Sequence, residues 1–291
     1  MLKSKHICTL ISKTLSPLRL CGEFLRQEEI ITIRIPQSEI RMIDCIDTGF
    51  DNAYMNMAID EVLLASNVPL LRLYQWEPAA VSIGRFQDLS DIDREFCNEN
   101  EVDIVRRITG GKTVLHEKEL TYTFIIDKGM MPRSIVDSYN IISSAIILGL
   151  QLLGLDPEMN KEVMVNKQNP VCFQEPSFNE IVIDRKKIVG SAQTRVRGRL
   201  LQHGSILTGI DIQKLSNCFI QKPEVHELSK RIAYIDISEE LLKSATTDGF
   251  SRFFDTPLNK RDLSSKELSA ARVLAREKYR SREWIERCQH V

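Results

Sequence analysis

No run of consecutive apolar residues in this chain approaches the length of a bilayer span, so the sequence predicts no membrane-spanning segment. Charge of one sign is not in excess either: 39 basic against 40 acidic residues leave a net charge of −1, with no global field drawing nucleic acid or a membrane surface. Cysteines are few and scattered, at 8, 21, 45, 97, 172, 218 and 288. Their number is odd and no C-x-x-C occurs, which excludes a disulfide framework and a zinc site built from close cysteine pairs. A reducing, cytoplasmic compartment follows. Internal repeats and low-complexity segments are absent. What remains is 43% hydrophobic and 27% charged, the composition of a globular chain, and 291 residues suffice for one large domain or two small ones.

The stretch VCFQEPSFNEIVIDRKKIVGSAQTRVRGRLLQHGSI (171–206) is the most informative. NEIVID alternates like a strand, Arg185-Lys186 can make a turn, and IVGSAQ and LLQHGSIL read as two further strands. Such a hairpin brings Lys187 toward the region of Cys172. A thiol is mostly protonated at neutral pH, and a nearby ammonium favours the nucleophilic thiolate. The same ammonium can stabilise the oxyanion formed when a carbonyl is attacked. The pair therefore suits acyl transfer through a thioester. Taken alone, Cys172 fits equally well as a small buried residue and Lys187 as a surface charge. Six basic residues without an acid between 185 and 199 predict a positive patch. Acidic carrier proteins, nucleotide phosphates or nucleic acid are its candidate partners, but the missing aromatic interleaving counts against nucleic acid.

Upstream, GGKT invites reading as a phosphate-binding P-loop, but that motif needs a glycine where Arg106 stands. Arg106, Arg107, Gly110 and Gly111 instead form a loop of exposed amides beside fixed charge. Asn52 caps a helix over AYMNMAIDEVLLA, whose Asp60 and Glu61 read as a solvated face. Residues 132–153 predict an amphipathic helix with Ile135, Tyr139, Ile142, Ile146 and Leu150 on one stripe. Residues 223–254 and 264–287 read as helical, with Ser264 or Ser265 as a cap. Residues 1–22 are basic before Glu23 and fit an organelle leader, a basic extension or an extra helix.

Three blocks, YQWEPAAVSIGRFQ, RRITGGKTVLHEKELTYTF and VCFQEPSFNEIVIDRKKIVGSAQTR with LLQHGSIL, resemble in order the biotin/lipoate protein ligase superfamily. The third is most similar to its cysteine-dependent, LipM-type octanoyltransferase branch. The resemblance covers about residues 40–285. It implies an α/β (α+β) fold of mixed, mostly antiparallel sheets with flanking helices, as one catalytic domain over 41–291 behind an extension at 1–40. It implies Cys172 and Lys187 as the catalytic pair. Tyr74, Trp76, Gly84, Arg106, Arg107, Gly110, Gly111, His116, Gly190, Ser191, Ala192, His203 and Gly204 would shape the acyl-donor pocket. The donor would be octanoyl-acyl carrier protein, and the acceptor a lysine of a lipoyl-domain protein such as the glycine-cleavage H protein. No metal and no cofactor are expected on this branch.

Two departures keep other readings open. Where ligases carry a third glycine this chain has Lys112, which fits the transferase branch. Asn179-Glu180 leans instead toward an ATP- and magnesium-dependent lipoate–protein ligase. Little chain follows Trp284, so no ligase-type accessory domain is expected. A third reading is a non-catalytic protein that binds an acyl group or a lipoyl domain.

Overall fold

The computed structural model describes residues 10–11, 40–160 and 180–287. In chain order the elements are β1 (Leu10–Ile11), β2 (Ile43–Asp51), α1 (Ala53–Leu63), β3 (Leu70–Trp76), β4 (Ala80–Ile83), α2 (Arg94–Glu99), β5 (Asp103–Arg106), β6 (Val114–His116), β7 (Glu119–Asp127), α3 (Ile135–Leu152) and β8 (Glu158–Met159). They continue with β9 (Ile181–Ile183), β10 (Lys186–Val196), β11 (Arg199–Leu207), α4 (Ile212–Asn217), α5 (Val225–Arg231), β12 (Tyr234–Ile235), α6 (Glu239–Phe253), β13 (Leu258–Lys260), α7 (Ser265–Leu274) and α8 (Arg282–Glu286).

Eight of these strands form one sheet in the order β13-β2-β3-β7-β11-β10-β9-β8. The β13-β2-β3 pairs are parallel and the remaining pairs antiparallel, so the expected mixed, mostly antiparallel sheet with flanking helices is present. Strands β5-β4-β6 form a smaller second sheet.

The strand period of two sorts the central residues between two different faces. Along β7, Leu120, Tyr122, Phe124 and Ile126 enter one apolar core together with Ile142, Ile146 and Leu150 of α3 and Phe250 of α6. The alternate residues Glu119, Thr121 and Thr123 are also buried, but on the opposite face. There, α1 covers the sheet through a second core that joins Met57, Ile59 and Leu63 to Leu70, Tyr74, Trp76, Ile125 and Leu201. One face is thus mainly apolar, with Gln202 buried in it and donating to Tyr122 Oη, whereas the other mixes apolar residues with hydroxyls and charges. The functional cavity lies on the mixed face.

Several local expectations need correction. The turn after β9 lies at Asp184-Arg185, both with positive φ (49° and 62°), one residue earlier than the sequence implied. A two-residue loop with both φ values positive matches the twist of its flanking strands. Lys186 is already paired with Ile183. In α3, Ile142, Ile146 and Leu150 are buried, but Ile135 is 65% exposed because the helix starts there, capped by Ser134, beyond the reach of the core. α3 is also more apolar than its runs of consecutive residues convey: by length and composition alone it is long and apolar enough to span a membrane, a test that buried core helices also pass. Its apolarity answers two packing surfaces, the sheet core and α6, where Gly149 lies against Ala245 and Gly249 against Ala145.

The positive patch at 185–199 breaks up for the same geometric reason. Lys187 is fully buried and ion-paired to Glu180. Arg195 donates to the carbonyls of Arg133 and Ser134, and Arg199 reaches Asp127. Arg195 and Arg199 point to opposite faces of the β10–β11 hairpin, while Arg185 and Arg197 remain exposed at the turns flanking β10.

Candidate active site

A pocket opens between the central sheet, α1 and the small sheet, with about 420 Å³ of empty space including its solvent-filled mouth. Its walls come from the three sequence blocks. Tyr74 and Trp76 arrive from β3, Arg107 and Gly111 from the loop after β5, and His116 from β6. Gly190, Ser191 and Ala192 come from β10, and His203 and Gly204 from β11. The sequence does not single out Met57, Val114 or Thr121; they complete the lining together with Ser82, from the YQWEPAAVSIGRFQ block, and Ser205, from LLQHGSIL. The strand alternation that buries odd-numbered residues of β7 and β11 on this face was the available signal for Thr121 and Ser205.

Other expected pocket residues support the wall from outside. A side chain at Gly84 would sit inside the carbonyl oxygen of Gly111, so only glycine lets the two backbones meet. Gly111 itself has φ +92°. Arg106 is buried and is not part of the lining; its Nη1 donates to the carbonyls of Gly84 and Gln87 at 2.8 and 2.7 Å. Its Nε and Nη2 donate to the carbonyl of Ile285 in α8. Gly110 lies behind the wall, with its carbonyl accepting from Arg107 Nη2 at 2.8 Å. Cys172 lies outside the described residues, as does the leader-like stretch 1–22 apart from Leu10 and Ile11. Lys187 pairs across from Val182, its Nζ 2.5 Å from Glu180 Oε1.

Two polar arms converge on Arg107. In the first, His203 Nδ1 faces Asp60 Oδ2 at 3.2 Å and Nε2 faces Thr109 Oγ1 at 2.7 Å. Arg107 Nε donates to that same Thr109 oxygen at 3.1 Å. In the second, Glu119 Oε1 and His116 Nδ1 are 2.7 Å apart, as are His116 Nε2 and Ser82 Oγ. Arg107 Nη1 donates to Ser82 Oγ at 3.1 Å. Arg107 also donates to the carbonyls of Gly110 and Lys112, so both arms brace the glycine loop. The imidazole of His116 stacks on Trp76, ring centroids 3.9 Å apart and planes 12° apart.

Asp60 was read as part of a solvated face and is instead the most heavily engaged acid on this side of the sheet. It is 1% exposed and takes Arg72 Nη1 on Oδ1 at 2.7 Å. Tyr74 Oη and Thr123 Oγ1 donate to Oδ2. Burial alone would raise the Asp60 carboxyl; the Arg72 charge and the hydrogen bonds from His203 and Arg72 outweigh it and hold it below the ordinary carboxylate value. Burial holds the His203 imidazole below its usual value, against the pull of Asp60. His203 is therefore neutral at pH 7, donating from Nδ1 and accepting at Nε2. Glu61 is also buried, at 9% exposure, and Tyr279 Oη and Lys278 Nζ donate to its Oε2.

Of the described cysteines, Cys45, Cys97 and Cys218 are free and buried, and none lines the cavity. Burial pushes the Cys45 thiol up to about 11, which suits packing rather than attack. Among the described residues no cluster of His, Cys, Asp and Glu is arranged to hold a metal ion.

The lipoyl protein ligase A/B catalytic domain matches residues 52–253. The octanoyltransferase LipM of Staphylococcus aureus is 39% identical, over 82% of this chain and 96% of that protein. LipM of Bacillus subtilis is 38% identical with the same coverage. Among solved structures, a lipoate-protein ligase A bound with ATP superposes with a TM-score of 0.73 at 26% identity, covering 86% of this chain and 99% of that one. A lipoate protein ligase homologue from T. acidophilum with bound lipoic acid gives 0.71 at 26% identity, over 85% and 99%. With the family matched over most of its length and relatives this similar spanning nearly their whole sequence, the chain belongs to the lipoyl protein ligase A/B catalytic-domain family.

Proposed function

We propose that this chain is a protein octanoyltransferase of lipoate biosynthesis that works through a thioester on Cys172. The relatives that share 35–39% of its residues are octanoyltransferases by name. The observation that carries the reading is the cavity: residues from three blocks, far apart in sequence, meet around one largely apolar space. Residues 41–291 then act as one catalytic domain, with the extension at 1–40 outside it.

In this reading Cys172 attacks the octanoyl thioester of an acyl carrier protein and keeps the octanoyl group. A lysine amine of a lipoyl-domain protein, with the glycine-cleavage H protein as one candidate, then takes it as an amide. Lys187, buried beside Glu180, stabilises the thiolate and the oxyanion. Thioester exchange is nearly energy-neutral and amide formation runs downhill, so the route needs neither ATP nor metal. The cavity walls from Tyr74 to Ala192 hold the acyl chain. Free buried cysteines are consistent with a reducing cytoplasm.

Intact-mass measurement after incubation with octanoyl-acyl carrier protein tests the assignment. One octanoyl group gained, and lost in Cys172→Ser, is the expected outcome. The ATP-bound ligase superposition keeps one competing reading in view. Release of AMP from ATP and free lipoate, undiminished in Cys172→Ala, would replace transfer with ligation.

A further inference from the structure

The second arm on Arg107 has the layout of an activated hydroxyl. Ser82 Oγ lies 2.7 Å from His116 Nε2, and His116 Nδ1 lies 2.7 Å from Glu119 Oε1. The neighbours fix the direction of the protons. Arg107 Nη1 donates to Ser82 Oγ, so the hydroxyl's own hydrogen is left for Nε2. The carboxylate takes the hydrogen on Nδ1. Nε2 is then a free base aimed at a serine oxygen, with an acid behind it holding the ring. Thr121 Oγ1 and Ser205 Oγ donate to the same Glu119 oxygen at 2.5 and 2.7 Å, and Trp76 covers the ring face. Glu119 Oε2 is buried with no hydrogen-bond partner among the described residues. A cation formed on His116 is well placed to balance that oxygen. Ser82 and His116 both line the cavity while being only 1% and 6% exposed.

A structural hydroxyl does not need this arrangement: a backbone carbonyl would satisfy Ser82, and a water would satisfy His116. We propose that Ser82 is an acyl acceptor in its own right and that the chain hydrolyses medium-chain acyl thioesters through it, independently of Cys172. In the first half-reaction Ser82 Oγ bonds to the acyl carbonyl carbon and the carbon–sulfur bond breaks. The hydroxyl proton passes to His116 Nε2 and on to the departing sulfur, which leaves as a thiol. In the second half, water bonds to the ester carbonyl carbon and gives its proton to His116. The Oγ–acyl bond breaks, the proton returns to Ser82, and the free fatty acid departs. Thioester and water become acid and thiol. The Arg107 guanidinium, already in contact with Ser82 Oγ, is the charge beside the oxyanion.

The full chain is treated with an alkyl fluorophosphonate carrying an eight-carbon chain, and the adduct is mapped by peptide mass. One adduct on Ser82, with loss of fluoride, is expected in the unmodified chain and in Cys172→Ala. His116→Ala should slow the labelling by about 10²-fold or more. Cys172→Ala should release octanoate from octanoyl-N-acetylcysteamine, and adding Ser82→Ala should abolish that release. An unmodified chain that stays unlabelled at Ser82 would overturn the proposal without recourse to any variant. So would hydrolysis by Cys172→Ala that the added Ser82→Ala change leaves intact. Acylation of Cys172 by octanoyl-acyl carrier protein is read separately, so either result can fail alone.

Discussion

Asp60 and Arg72 face each other in the interior, Oδ1 to Nη1 at 2.7 Å, with neither side chain more than 1% exposed. Removing the carboxylate strands a buried guanidinium. Asp60→Ala should cost about 3–5 kcal/mol, read as a lower urea midpoint. Asp60→Asn retains acceptor capacity and should cost less. Both should also loosen His203 and Thr109, so transfer should fall even at temperatures where the variants remain folded.

The neutral state of His203 predicts a slope in stability against pH. Its folded value lies below the 6.5 of a free imidazole, chiefly through burial. Between those two values the unfolded chain binds the proton and the folded chain does not, so stability falls with acidification. The contribution is complete above about pH 6.5 and declines below it. Urea midpoints measured from about pH 7 to 5 should flatten in His203→Gln. Asp60 adds a separate loss at lower pH: its depressed folded value stabilises the chain above the ordinary carboxylate range and fails as pH falls through it.

Two glycines separate site geometry from stability. Gly84→Ala drives a methyl group into the carbonyl of Gly111 and must displace the loop. Gly249→Ala drives one into Ala145 and Gly149 where α6 crosses α3, outside the cavity lining. Each overpacking should cost about 1–3 kcal/mol. Only Gly84→Ala should reduce acyl transfer by more than its loss of folded protein explains, measured on thermally matched samples.

Lys187 and Glu180 form a buried ion pair, with side chains 0% and 6% exposed. Glu180→Ala leaves the ammonium short of a counter-charge and should cost about 3–5 kcal/mol in chemical denaturation. Lys187→Met with Glu180→Leu should recover most of that stability while leaving octanoyl transfer abolished. Recovery of both would remove Lys187 from the chemistry.

Much of the cavity was legible because its residues sit in motifs whose spacing survives folding: Tyr74 and Trp76 alternate on one strand, and Gly190 to Ala192 run along another. Asp60 was not. A charged pair on an otherwise apolar helix reads locally as a solvent face, and the partners that bury it, Arg72, Thr123 and His203, lie 12, 63 and 143 residues away. The basic run at 185–199 misled in the opposite way, since strand alternation separates charges that sequence places side by side. Ser82 was legible as part of the YQWEPAAVSIGRFQ block, but its partner was not: only the antiparallel pairing of β4 with β6 brings it to His116.

The clasp between Arg106 and α8 has a practical side. Trp284 Nε1 donates to the Arg106 carbonyl at 2.8 Å, and the Arg106 side chain returns to the carbonyl of Ile285. The same guanidinium holds Gly84 and Gln87 in place. An expression design trimmed before Trp284 would therefore unlatch a loop nearly two hundred residues upstream, and a tidy-looking truncation would yield protein that folds around a slack pocket.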